Sequence, residues 1–161
     1  MNRLDATRRA HVLNCLIEGC SIRSTVRMTG VSKKAVTRLL VEAGAVAADC
    51  QDRVMRNLTC RRLQVDELWT FNYCKQKNVT ADIKSKVAGA GSVWLWVAID
   101  ADTKLVPCAM VGSRSAGEAR DFIADLASRL RYRVQMTTDK FRPYLQAGIR
   151  VWCPGRLRPV G

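Results

Sequence analysis

Apolar positions over the first 44 residues recur at helical spacing in three short runs, each closed by a glycine. Asp5 is placed to cap the first run, Val12, Leu13, Leu16 and Ile17 form its stripe, and Gly19 ends it. Ser21 opens a second helix with Ile22 and Val26 inward, and Gly30 closes it. Ser32 opens a third, with Ala35, Val36, Leu39, Leu40 and Ala43 inward and Gly44 terminal. From residue 63 the period changes. Residues 63–74, rich in β-branched and aromatic side chains, predict a strand, and a loop rich in Lys, Ala and Gly occupies 75–91. Residues 93–99 are almost continuously apolar, as in a strand covered on both faces. Asp100, Ala101, Asp102 and Thr103 make a turn, and residues 105–111 return antiparallel, with Pro107 suited to an edge. Ser115 and Glu118 form a capping box for an amphipathic helix through Ala119, Phe122, Ile123, Leu126 and Leu130. Residues 133–138 read as a further strand, and 141–146 as a short helix.

A strand, a crossover helix and another strand imply parallel pairing, so the last strand can lie beside the first. The chain is therefore expected to be α/β with a small all-α N-terminal domain. That domain spans 1–48, a linker 49–62 and a mixed-sheet core 63–148. An irregular basic tail fills 149–161, where Pro154, Gly155 and Pro159 disfavour helix and strand alike.

Charge changes this picture from architecture to partner. Lys and Arg outnumber Asp and Glu 27 to 14 in 161 residues, a net charge of +13. Residues 1–62 hold 12 basic and 5 acidic side chains, residues 63–149 hold 12 and 9, and the rest 3 and none. Such a surface binds polyanions, because phosphate neutralisation releases condensed counterions. The three-residue link Thr29-Gly30-Val31 between the second and third helices is that of a helix-turn-helix, whose second helix presents its N-terminal residues to base edges. Those residues are Lys33, Lys34, Thr37 and Arg38, and Arg23 and Arg27 are placed to meet the DNA backbone. Val26 stands where such units usually carry a small residue. The bland alternative is a small helical bundle with a solvated basic face. Seven Cys without a C-x-x-C pair disfavour a disulfide framework or zinc finger and suit a reducing compartment. The longest apolar run, residues 93–99, is far shorter than the roughly 20 residues of a membrane span.

Candidate chemistry rests on carboxylates. Asp66 interrupts an apolar strand, where a charge is costly unless paired or bound to a cation, and Asp139 ends the strand expected beside it. Two carboxylates without nearby His or Cys suit Mg²⁺ or Mn²⁺, and two-metal phosphoryl transfer wants a third acid. The alternatives are a satisfied strand-edge aspartate for Asp66 and a helix cap for Asp139. Glu67, Asp100 and Asp102 read as solvent-side or turn residues.

Gln64-Val65-Asp66-Glu67-Leu68-Trp69, Lys75-Gln76-Lys77-Asn78-Val79, the run from Trp94 to Leu105 and Thr137-Thr138-Asp139 together form an ordered set of motifs. With Gly30-Val31-Ser32-Lys33 upstream, the chain resembles the DDE transposases of the insertion sequence 1 family in single-frame form, over residues 1 to about 147. The resemblance implies a ribonuclease-H-like catalytic domain, terminal inverted repeats of double-stranded DNA as ligand, Mg²⁺ as cofactor, and nicking followed by strand transfer. It carries Asp66 over as the first acid and Asp139 as the second. Family members place a catalytic Glu on a later helix, whereas no Asp or Glu follows Asp139 here, and Asp139-Lys140-Phe141 stands where Asp-Gly-His is usual.

These departures predict a truncated or frame-shifted copy with an incomplete ribonuclease-H-like sheet. The expected function is binding of inverted-repeat ends with impaired cleavage, in the prokaryotic cytoplasm at the nucleoid. Association with another copy or with full-length transposase is expected, and membrane attachment is not. Glu118 is the candidate replacement acid, with its capping role as the alternative. The competing functions are an active Mg²⁺-dependent transposase or nuclease using Asp66, Asp139 and Glu118, and an unstable pseudogene product with an open sheet edge.

Overall fold

The computed structural model describes residues 4–139 and 141–152, and these divide into two compact units on either side of Val54. The first unit is all-α: α1 (Ala6–Ile17), α2 (Ile22–Thr29) and α3 (Lys33–Val54). The caps are the expected ones, with Asp5 accepting from the Arg8 amide, Ser21 from Ser24 and Ser32 from Ala35. Gly30 ends α2 at φ +66°, a left-handed conformation that suits glycine. Val12, Val31, Val36 and Leu39 form the buried core, with Leu13, Leu16, Ile22 and Val26 packed against it.

Three expectations fail here for identifiable reasons. Ile17 is 79% exposed, because α1 ends at that residue and its last side chain passes the edge of the core. Leu40 also faces outward. Gly44 does not stop α3, which continues to Val54 and absorbs the first residues of the expected 49–62 linker. Nothing after Gly44 breaks the helix: Ala45, Ala47 and Ala48 have high helix propensity, and Arg53 pairs with Asp49 one turn away at 2.9 Å.

The second unit holds β1 (Arg62–Asn72), β2 (Gly91–Asp100), β3 (Cys108–Gly112) and β4 (Gln135–Thr138), with helices α4 (Ala81–Lys86), α5 (Ala116–Arg129) and α6 (Arg142–Trp152). The sheet order is β3-β2-β1-β4. β1 and β2 pair antiparallel with Asp66 opposite Val97, β2 and β3 pair antiparallel, and β4 runs parallel to β1 with Val65 opposite Thr138. A mixed α/β sheet with its last strand beside its first is what the strand–helix–strand pattern predicts.

Alternation decides which face is covered. Leu63 and Val65 of β1, Trp96 and Ala98 of β2 and Cys108 of β3 are buried with Ala119, Phe122, Ile123 and Leu126 of α5 and Tyr144 and Ala147 of α6. Trp96 is the centre of that core: Phe122, Phe141 and Tyr144 surround its ring at 5.8, 6.0 and 5.6 Å, and its indole N–H donates to the Ser113 carbonyl. Beside it Asp125 accepts from the Cys108 thiol at 2.9 Å and from the buried Arg129 guanidinium at 3.0 Å.

The expected 75–91 loop contains a 3₁₀ turn at Gln76–Asn78 as well as α4. Thr80 caps α4, Asp82 lies in its first turn and Lys84 and Lys86 in its last, matching the helix dipole. β3 begins at Cys108 rather than residue 105, so buried Pro107 precedes the strand. Asp100 is buried, not solvent-side, because it accepts from the Asp102 amide and the Thr103 hydroxyl within the turn. The tail expected to be irregular from 149 is helical as far as Trp152, continuing α6, while 153–161 lie outside the described residues. No described helix is long and apolar enough to cross a membrane.

Candidate functional site

Two features stand out, one in each unit. In the first, Lys33, Lys34, Thr37 and Arg38 line one open depression with Val41 at the start of α3. Helical spacing brings them together, since positions three and four apart share a face. The Thr37 hydroxyl donates to the Lys33 carbonyl at 3.0 Å, and Arg38 lies 3.6 Å from Glu42 one turn on. Arg23 and Arg27 are exposed on α2.

In the second unit, β1 and β4 deliver carboxylates to one place. Asp66, Glu67 and Asp139 each offer an oxygen, and these lie within 4.8 Å of one another. The parallel register carries this out: β4 ends at Thr138, opposite Val65, so Asp139 emerges beside Asp66. Their environments differ. Asp66 is exposed on β1, contrary to its reading as a charge within an apolar strand, because it lies on the face opposite Leu63 and Val65. Its Oδ1 accepts from the Glu67 amide at 2.8 Å. Glu67 shares the covered face, and its side chain is only 1% exposed, which overturns its reading as a solvent-side residue. The signal was present in the alternation Leu63, Val65, Glu67.

Arg114, from the segment between β3 and α5, lies across the group. It donates to Asp139 Oδ2 at 3.0 Å and stands 3.6 Å from Glu67 Oε2, while its guanidinium stacks over Phe141 at 4.3 Å and Trp94 at 5.0 Å. No local pattern in the sequence marks this residue, since its partners come from three distant segments. Asp139 also accepts from the Phe141 amide at 3.0 Å, so it serves as a helix-entry cap as well as a member of the group. Burial pushes the Glu67 carboxyl up from its usual range, against the opposing pull of the Tyr144 hydroxyl and Arg114. Burial likewise pushes the Tyr144 phenol up.

Glu118 is not in this group. Its carboxylate accepts from the Ser113 and Ser115 hydroxyls, and its backbone amide donates to Ser115 Oγ. The Ser113 hydroxyl holds the Glu118 carboxyl below its usual range. Its place at the first turn of α5 is that of a capping-box residue.

No protein-family model matches this chain, and none of the curated proteins does. Three carboxylates with hard oxygen donors suit a divalent cation such as Mg²⁺ or Mn²⁺, and the cationic face of α3 suits phosphate and guanine edges.

Proposed function

We propose that this chain is a transposase-type DNA-binding protein that recognises terminal inverted repeats through a helix-turn-helix, α2 and α3. The observation that carries this reading is the grouping of Lys33, Lys34, Thr37 and Arg38 on the first turns of α3, directly after the Gly30 turn. Lys33 and Lys34 supply mobile charge for phosphates, Arg38 a planar fork for a guanine edge, and Arg23 and Arg27 backbone contacts that fix register. The net charge of +13 adds a salt-sensitive attraction to any duplex. Changing Lys33 and Arg38 together to Ala should weaken binding of repeat DNA by about tenfold or more in a gel shift near physiological salt. Unchanged affinity would sink the assignment.

A second reading, that the α/β unit is a ribonuclease-H-like core with metal-dependent strand cleavage of its own, is favoured by the meeting of Asp66, Glu67 and Asp139. The order β3-β2-β1-β4, with β4 parallel to β1, supports it. Asp66 and Asp139 would hold the ion, which when bound supplies Lewis-acid activation at a phosphodiester. Arg114 would set a positive charge beside the incoming phosphate. Binding is the stronger assignment and cleavage the impaired one, since Glu118 is engaged by Ser113 and Ser115 and does not join the group of Asp66, Glu67 and Asp139. Mn²⁺-dependent nicking that disappears in Asp66→Asn would reverse that ranking.

A further inference from the structure

We infer that Glu67 is the third carboxylate of a divalent-cation site formed with Asp66 and Asp139, and that the Arg114 guanidinium is the internal cation which a divalent ion displaces. This rests on the reading of the acidic group as a metal site, and it adds to that reading both a ligand and a competitor.

Successive side chains of a strand point to opposite faces, so Asp66 and Glu67 would ordinarily diverge. They converge here because Asp66 turns its carboxylate along the strand to accept from the Glu67 amide at 2.8 Å. All three acids then present oxygens within 4.8 Å of one another.

Acidic groups at a surface gather without binding anything, but Glu67 is not at the surface. Its side chain is 1% exposed, and its Oε1 has no hydrogen-bond partner among the described residues. The Tyr144 hydroxyl, buried near it and acting on its charge, likewise has no hydrogen-bond partner among the described residues. A buried carboxylate left in that condition is costly, and a cation repairs it.

Arg114 is an incomplete repair. Its separation of 3.6 Å from Glu67 exceeds hydrogen-bond range, its better contact being Asp139 at 3.0 Å. The guanidinium therefore pairs with two of the three grouped carboxylates, Glu67 and Asp139. A compact divalent ion with oxygen ligands matches that charge better. The guanidinium is also held by contacts that do not depend on the carboxylates, since it lies over the Trp94 and Phe141 rings at 5.0 and 4.3 Å.

Direct titration of the intact chain with Mn²⁺, by calorimetry or by the loss of free Mn²⁺ signal in electron paramagnetic resonance, tests both halves. Glu67→Gln should weaken Mn²⁺ binding on the order of tenfold, as should Asp66→Asn, and Arg114→Gln should strengthen it several-fold. Glu67→Gln should also raise the metal-free melting temperature while losing the Mn²⁺-induced increase, a combination that a purely structural glutamate would not give. If Glu67→Gln titrates like the unaltered protein while Asp66→Asn does not, Glu67 is excluded and the metal-site reading stands. If Arg114→Gln leaves affinity unchanged, the displacement half fails. If neither the unaltered protein nor Arg114→Gln binds Mn²⁺ at millimolar concentration, the metal-site reading itself is overturned.

Discussion

At the scale of single residues, the protein shows how much depends on whether a buried polar atom has a partner. Asp125 is satisfied by Arg129 and Cys108, and Asp100 by its own turn. Thr25 is not: it is fully buried at the centre of α2, and its hydroxyl has no partner among the described residues. Removing an unpartnered buried hydroxyl while keeping the side chain's shape recovers its desolvation cost. Thr25→Val should therefore stabilise the three-helix unit by about 1 kcal/mol, measured by thermal or urea unfolding. Destabilisation would mean that the hydroxyl is satisfied by water. The same logic separates the two neighbouring acids of β1: Asp66 is exposed, while Glu67 is buried with Arg114 at 3.6 Å and one oxygen without a hydrogen-bond partner among the described residues.

At the scale of elements, two glycines with the same sequence-level signature behave in opposite ways. Gly30 takes a left-handed conformation at the end of α2, which a side chain would strain. Gly44 sits within α3 with nothing near the place its Cβ would occupy. Gly44→Ala should stabilise the unit by roughly 0.5–1 kcal/mol, and Gly30→Ala should destabilise it by about 1–2 kcal/mol. Chemical denaturation of both variants checks the pair, and equal signs would contradict the assigned backbone conformations.

This pair also marks what could be read in advance. Local signals located most elements: Asp5, Ser21, Ser32 and Ser115 all cap where their side chains predict, and the crossover pattern placed β4 parallel to β1. A glycine, however, ends a helix only when the backbone after it turns away, and the alanines after Gly44 give it no reason to do so. The continuous apolar run in β2 predicts coverage on both faces, but α5 and α6 pack on one, with Trp96 and Ala98 beneath them. The site was legible in part. Asp66 and Asp139 follow from strand order, Glu67 from alternation that was there to be counted, and Arg114 from nothing short of the tertiary fold.

At the scale of the whole molecule, the proposed DNA binding makes charge the controlling variable. With +13 overall and Lys33 and Lys34 exposed at the α3 face, duplex binding should weaken steeply as salt rises. Removing both lysines should lower the slope of log affinity against log salt by nearly 2, about 0.9 for each lost phosphate contact. Fluorescence anisotropy across a salt series measures it, and an unchanged slope would place the phosphate contacts elsewhere.

The pairing of β4 with β1 has one more consequence, which concerns time. The hairpins β1–β2 and β2–β3 join segments close along the chain, whereas β4 reaches β1 only after the chain has passed through the hairpins and α5. Contacts between distant segments carry the larger closure entropy and tend to form late. A nascent chain that has made its meander but not this last pairing holds Asp66 and Glu67 apart from Asp139, so the three carboxylates come together only with the final strand.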